Sequence, residues 1–216
     1  MSTCLSDLIK DYPVDFLALQ ETMKKTFIIV TSEKFDPYDL FTWRWVPSIG
    51  KSGGILCGIK KEKFEVVSWK VGKFILQATV HDVEKDAVWA LLVVYGAAQY
   101  EFKEDFLVQM ASFCSHIGIP YVIGGDFNIL RVGDDKNKNM RHNQYVDKFN
   151  SVINTLNLRE IHLTGGKYTW SNQQAHPTLE KLDRVLMSYA WEDLFPLVSV
   201  RKLVRDKSDH NPLFLS

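Results

Sequence analysis

The chain has 216 residues, 46% of them hydrophobic, which is enough to bury a sizeable core, and one domain spanning 1–216 is the natural expectation. Lysine plus arginine equal aspartate plus glutamate at 26 each, so no global positive field advertises a nucleic-acid partner and any attraction for phosphate has to be local. Three cysteines (Cys4, Cys57 and Cys114), far apart and without a CxxC pair, exclude a zinc ribbon and a disulfide framework and fit a reducing, intracellular compartment.

In chain order, residues Cys4 to Lys10 read as the tail of a helix leading into the first strand-like run, VDFLAL (Val14–Leu19), which is followed at once by Glu21 and Thr22. Four further runs rich in β-branched and aromatic residues come next: GILCGI (Gly54–Ile59), FEVVSW (Phe64–Trp69), FILQATV (Phe74–Val80) and VWALLVVYG (Val88–Gly96). The longest mostly apolar stretch, Ala87 to Ala98, is too short to span a bilayer, and no basic-then-apolar leader is seen, so a soluble protein without a membrane partner is expected. Phe102, Phe106, Met110, Phe113 and Ile117 recur at helical spacing, and so do Tyr145, Phe149, Val152 and Leu156. Between those helices lie a strand, YVIGGDF (Tyr121–Phe127), and a polar stretch, Arg131 to Asn143, that reads as a surface loop. DRVLM (Asp183–Met187) and PLFLS (Pro212–Ser216) close the series of strands. Several runs are apolar without a break, which suits strands buried on both faces, either under helices or against a second sheet.

Chemistry-bearing residues fall at the ends of these strands: Glu21 in LALQET, Asp126 and Asn128 in GGDFN, Asp183 in LDRVL, and Asp209 with His210 in SDHNPL. Hard oxygen donors suit magnesium, which keeps several waters and takes one or two protein carboxylates plus phosphate oxygens. Phosphodiester cleavage also needs a group to orient or deprotonate water and donors for the charge that develops on phosphorus, roles open to Asp126, Asn128 and His210. A lone carboxylate after a strand more often caps a turn than catalyses, so no one fragment decides the matter. His81, His116, His142, His162 and His176 have no motif-like acidic neighbour and read as ordinary histidines. Arg201, Lys202, Arg205 and Lys207, just before SDHNPL, lie where a phosphate backbone can approach.

Together and in this order, GGDFN, GGKYTWSN (Gly165–Asn172), LDRVL and SDHNPL resemble the endonuclease/exonuclease/phosphatase superfamily, most of all plant LINE-type retroelement endonuclease domains, over about Leu5 to Leu215. The resemblance implies an α/β fold, a four-layer sandwich of two packed mixed β-sheets flanked by helices, and a magnesium- (or manganese-) dependent DNA endonuclease acting as a monomer, in the nucleus if genomic DNA is its substrate. It implies that Glu21 and Asp209 bind the metal and that Tyr95 of VVYGAAQ contacts the scissile phosphate. It further implies that Asp126 with Asn128 handles the attacking water, that His210 donates to the phosphate, and that Asp183 holds His210 in its tautomer and charged form. Thr169, Trp170 and Asn172 line a substrate groove in this scheme, although core packing is the plainer role for Trp170. Two departures stand out: the WNxRG-like first strand of such domains precedes the point at which this chain begins, and Ala97 replaces the proline of VYGP. The first departure leads to the expectation of a sheet short of one strand and of a weakened metal shell. Two other readings stay open: a phosphatase for phosphoinositides or other phosphomonoesters, and a non-catalytic remnant of a decayed element.

Overall fold

The structure, a computed structural model, describes residues 9, 12–25, 36–48, 53–139, 143–206 and 208–216. The chain divides into two compact units, Met1–Tyr95 and Gly96–Ser216. Of the expected helix tail Cys4 to Lys10, only Ile9 belongs to the described residues.

In the first unit, β1 (Phe16–Leu19) and β2 (Phe41–Val46) flank β3 (Ile55–Lys60) in an antiparallel three-stranded sheet. A run of β4 (Phe64–Val71), β5 (Ile75–Asp82) and β6 (Ala87–Tyr95) pairs antiparallel throughout, with a bulge at Val66/Ser68. The unbroken apolar run of β3 is buried from Ile55 to Ile59, as a strand covered on both faces should be. Phe16 of β1 packs on Phe64 and Trp89 at ring separations of 4.4 and 5.3 Å, joining the two sets of strands through an aromatic cluster. β2 has no apolar run to announce it. Its start is tied down by Asp36, whose Oδ2 accepts from the Phe41 amide and from Trp43 Nε1 at 3.1 and 2.9 Å.

In the second unit, β7 (Tyr121–Asp126) pairs antiparallel with β12 (Asp183–Ser188), which pairs in turn with β8 (Leu158–Glu160). Two helices, α1 (Lys103–Ser115) and α2 (Gln144–Thr155), bury Phe106, Met110 and Phe113 and Tyr145 and Phe149 of the predicted stripes, while Phe102 is exposed and Ile117, Val152 and Leu156 are half-buried; α2 is capped by Asn143, whose side chain accepts from the Tyr145 amide at 3.0 Å. Phe106, Phe127 and Phe149 are fully buried and in ring contact, Phe127 lying 6.2 Å from Phe106 and 5.3 Å from Phe149. Each contributes on the order of 2–3 kcal/mol by removal from water. A short helix, α3 (Tyr189–Leu194), follows β12. β9 (Leu163–Thr164) runs parallel to β13 (Val200–Lys202), which pairs antiparallel with β14 (Leu213–Leu215). A hairpin of β10 (Trp170–Ser171) and β11 (Leu179–Glu180) completes the unit. The fold is thus of the mixed α/β class. Among the described residues no helix is long and apolar enough to cross a membrane.

The polar stretch after β7 is no simple solvated connection. Asp135 is buried, accepts from the Arg131 and Val132 amides, and forms an ion pair of 2.5 Å with Arg184 of β12. The Asn137 amide and the Asp135 carbonyl bond to Leu179 and Lys181 at 3.1 and 2.8 Å, stitching the loop to β11 and its sequel. Such residues can be buried because every charge finds an opposite partner.

Candidate active site

The register of β7 against β12 sets Asp126, the last residue of one strand, directly across from Asp183, the first residue of the other. Residues opposed in this way carry neighbouring side chains on one face of the pair. His210 is brought to them by an isolated antiparallel bridge to Trp170. Its Nδ1 lies 2.8 Å from Asp183 Oδ2, and its Nε2 lies 3.9 Å from Asp126 Oδ2. Asp183 is itself located by Thr169, a fully buried residue whose Oγ1 accepts from the amides of Leu182 and Asp183, each at 3.0 Å. Thr169 therefore lies inside the protein rather than along a groove. Asn172 likewise serves its hairpin, accepting from the Thr178 amide at 2.9 Å.

Asp126 and Asn128 form a closed pair. The Asn128 amide donates to Asp126 Oδ1 at 2.9 Å and Asn128 Nδ2 donates to Oδ2 at 2.7 Å. This geometry needs the left-handed backbone found at Asn128, φ 52°, which asparagine tolerates better than most residues. Gly96 packs on the same turn, donating to the Asp126 carbonyl at 2.6 Å. A Cβ at Gly96 would fall 2.2 Å from the Phe127 oxygen, so only glycine is admitted there.

Asp209 faces the other side of the histidine's segment: its Oδ2 accepts from Trp170 Nε1 at 2.9 Å, and its carbonyl accepts from Arg205 Nη1 at 2.9 Å and from the Ser171 amide at 3.0 Å. Burial of the His210 ring works against its charged form, but the hydrogen bond and charge of Asp183, with the charges of Asp126 and Asp209, outweigh it and carry the pKa up to about 9. His210 is thus an imidazolium near neutral pH, two N–H donors held among carboxylates.

In the first unit, Glu21 and Tyr95 come together: Tyr95 Oη donates to Glu21 Oε1 at 2.6 Å. Glu21 is exposed and sits at φ 51°, in a turn whose next two amides, Thr22 and Met23, bond to the carbonyls of Gly54 and Gly53. Both glycines have positive φ, and a Cβ on Gly54 would lie 2.3 Å from Thr22 Oγ1, so this glycine pair is part of the Glu21 turn.

Donor chemistry separates the metal-binding options. Asp126, Asp183 and His210 each offer an atom within 4.8 Å of the others, the spacing of a cation site. An imidazolium has no lone pair to give, however, and this triad is better described as a hydrogen-bonded acid–histidine relay. Glu21, exposed and with one oxygen outside its tyrosine bond, fits a hard cation; Asp209 keeps Oδ1 beyond its tryptophan bond.

Lys103 was not legible as a site residue. Placed at the first position of α1, where a cation opposes the helix dipole, it reaches back to donate to the Asn128 carbonyl. Burial lowers its pKa, against the charges of Asp126 and Glu180. A lysine at a helix start is the one local inconsistency by which sequence reasoning could have found it. Of the other histidines, His81 does find acidic partners, the exposed side chains of Asp86 in the turn after β5 at 2.9 Å and of Glu65 on β4 at 3.7 Å. Arg201 stacks on Phe214 at 5.9 Å, apart from the course taken by Lys202 and Arg205.

The chain belongs to the Endonuclease/Exonuclease/phosphatase family, whose model matches residues 2–210. Its fold is similar to that of the endonuclease domain of TRAS1, a telomere-specific non-LTR retrotransposon (TM-score 0.75, 14% identity, 99% of this chain and 90% of that one). It is also similar to the AP endonuclease LMAP from Leishmania major (TM-score 0.77, 14% identity, 98% and 80%). A third similar structure is D. rerio TDP2 complexed with single strand DNA product (TM-score 0.64, 13% identity, 99% and 90%). No curated protein sequence matches the chain.

Proposed function

We propose that the protein is a divalent-metal-dependent phosphodiesterase that nicks DNA, of the kind carried by LINE-type retroelements. The observation that carries this reading is the relay Asp183–His210, 2.8 Å long, with Nε2 turned toward the buried Asp126 at 3.9 Å. A histidine kept charged in this way donates to a non-bridging phosphate oxygen, offsetting the charge that builds in the transition state. Asp126, its oxygens ordered by Asn128, orients and deprotonates the attacking water. Glu21 is the proposed metal ligand, with Asp209 as a second oxygen donor or an orienting carboxylate, and Tyr95 the proposed contact to the scissile phosphate. A bound magnesium or manganese ion would supply Lewis-acid polarisation of the phosphate. DNA as substrate is supported by the retrotransposon endonuclease and AP endonuclease among the similar folds, and by a further one solved with single strand DNA product. Action as a monomer, and in the nucleus if the substrate is genomic DNA, belong to the same reading.

The test is conversion of supercoiled plasmid to the nicked form by purified protein. Cutting is expected with magnesium or manganese and is expected to stop on chelation. Cutting undiminished in chelator overturns the metal dependence, and a failure to cut any phosphodiester with either metal overturns the function.

A further inference from the structure

Lys103 follows the short 3-10 turn Tyr100–Phe102 and opens α1, half-buried, with the acidic Glu104 and Asp105 next in the chain. Two carboxylates, Asp126 and Glu180, are near enough for their charges to oppose the lowering of its pKa by burial. It pairs with neither. Glu180 is answered by Lys136 at 2.6 Å, and both oxygens of Asp126 accept from Asn128. Lys103 donates instead to a neutral acceptor, the Asn128 carbonyl, and among the described residues it is the donor that this carbonyl has. A cation half-removed from water gains more from a carboxylate than from a carbonyl, so the fold directs this charge to holding a peptide group.

The peptide it holds belongs to the turn that orders Asp126. Asn128 clamps that carboxylate only while its own backbone stays left-handed, at φ 52°. Left-handed backbone lies above the right-handed alternative in energy, even for asparagine, so the turn needs constraint from outside. Gly96 supplies part of it: its amide donates to the Asp126 carbonyl at 2.6 Å and its carbonyl accepts from Asn128 Nδ2 at 3.1 Å. Lys103 fixes what Gly96 does not, the peptide that leaves Asn128. With that peptide free to rotate, the backbone of Asn128 can relax and both of its bonds to Asp126 are lost together. A released Asp126 then has an opposite charge within reach, since His210 Nε2 is 3.9 Å from its Oδ2. Closing that gap to a direct ion pair would occupy the proposed water-handling group and the proposed phosphate donor at once.

We infer that Lys103 is a positioning residue: by pinning the Asn128 carbonyl it keeps the Asp126–Asn128 clamp shut and the Asp126 carboxylate off His210. The inference rests on the phosphodiesterase reading above, in which Asp126 handles the attacking water, and adds the residue that holds it ready. In this role Lys103 acts through Asn128 and touches no reacting atom. Because productive geometry tolerates little slack, a loosened Asp126 lowers the rate of the chemical step and leaves substrate affinity as it was.

The experiment has two readouts, one of which needs no cutting. In protein without metal or DNA, NMR-detected hydrogen exchange is followed at the Asn128 amide, which donates to Asp126 Oδ1. Exchange there is expected to speed up about tenfold in Lys103→Met and to stay within about twofold of the parent in Lys103→Arg, whose guanidinium can donate to the same carbonyl. The amides of β7 are expected to keep their protection, which separates an opened clamp from a loosened fold. In the nicking assay, Lys103→Met is expected to lower kcat about tenfold with KM held within about twofold, but to add less than about twofold to the loss already caused by Asp126→Asn. Lys148→Gln, an exposed lysine paired with Glu104, is expected to change neither readout. Unchanged exchange at Asn128 in Lys103→Met overturns the inference, and so does exchange that rises equally along β7. A full tenfold loss on top of Asp126→Asn, or a raised KM with kcat kept, also overturns it by making Lys103 act apart from Asp126. Because exchange is read without cutting, it decides the positioning whether or not the parent nicks DNA, and a parent that cuts nothing bears on the phosphodiesterase reading alone.

Discussion

Asp183 and Arg184 are consecutive residues of β12, and by the alternation of a strand they enter two different clusters of charge. Arg184 lies in a closed one: its guanidinium meets Asp135 at 2.5 Å and Glu160 at 2.9 Å, Lys181 and Arg131 add further bonds to Glu160, and its side chain is 1% exposed. Asp183 lies in an open one, where Asp126, Asp183 and Asp209 surround a single His210 whose side chain is 22% exposed. In the closed cluster, cations match or outnumber carboxylates and the protein answers its own charges. In the open cluster, acid is in excess, and the histidine's charge is a product of that excess. Burial with full pairing makes a strut, whereas incomplete closure around surplus acid leaves a charged histidine open to a further partner.

The largest effect should come from the strut. Arg184→Ala leaves Asp135 and Glu160 buried without their partner and should cost about 3–5 kcal/mol of stability, read by chemical or thermal denaturation. A variant that unfolds together with the parent would show that the closed cluster is not structural. On the open side the loss should be kinetic. Asp126→Asn and His210→Ala should each lower the nicking rate at least about a hundredfold, roughly 3 kcal/mol of transition-state stabilisation, while both still unfold cooperatively. His81→Ala is the control, since its partners Asp86, in the turn after β5, and Glu65 of β4 have exposed side chains; an equal loss there would move the proposed catalytic histidine elsewhere.

The smallest effect, and the one that contrasts the clusters most directly, is on pH dependence. Burial acts to raise the pKa of Glu160, but Arg184, Lys181 and Arg131 hold it down at about 2, so its contribution to stability is present above its ordinary value and is lost as pH falls toward 2. His210 is raised to about 9, so its contribution is full below its ordinary value of 6.5 and is lost as pH rises through 9. Stability should therefore fall on the acid side through the closed cluster and on the alkaline side through the open one. Glu160→Gln should flatten only the acid limb of a Tm-against-pH curve, and His210→Ala only the alkaline limb. A variant that moved both limbs would mean that the two clusters titrate as one.

Sequence patterning read the long elements well, because eight of the strands and the two long helices announce themselves by apolar runs or helical spacing. β2 carries the other strand signal, FTWRWV alternating aromatics with Thr42 and Arg44, and is missed by a reading of unbroken apolar runs, whereas in β8 to β11 and β13 two or three residues carry no period. The candidate residues themselves were legible as strand-end acids and amides. Their mutual placement was not, since Asp126 meets Asp183 through strand register and His210 reaches Asp183 across 27 positions. Asp135 escaped notice for the opposite reason: a buried ion pair looks, in sequence, the same as a solvated loop.

Thr169 has a consequence for how such a protein can change over time. One hydroxyl, accepting from the amides of Leu182 and Asp183, fastens the foot of the β10–β11 hairpin to the strand that carries the histidine's partner. The tip between Asn172 and Thr178 lies beyond that fastening. Changes at the tip therefore alter what the hairpin touches, the bond from Gln173 to the Ser208 carbonyl at 3.1 Å included, while the Thr169 hydroxyl keeps Asp183 in place at the foot.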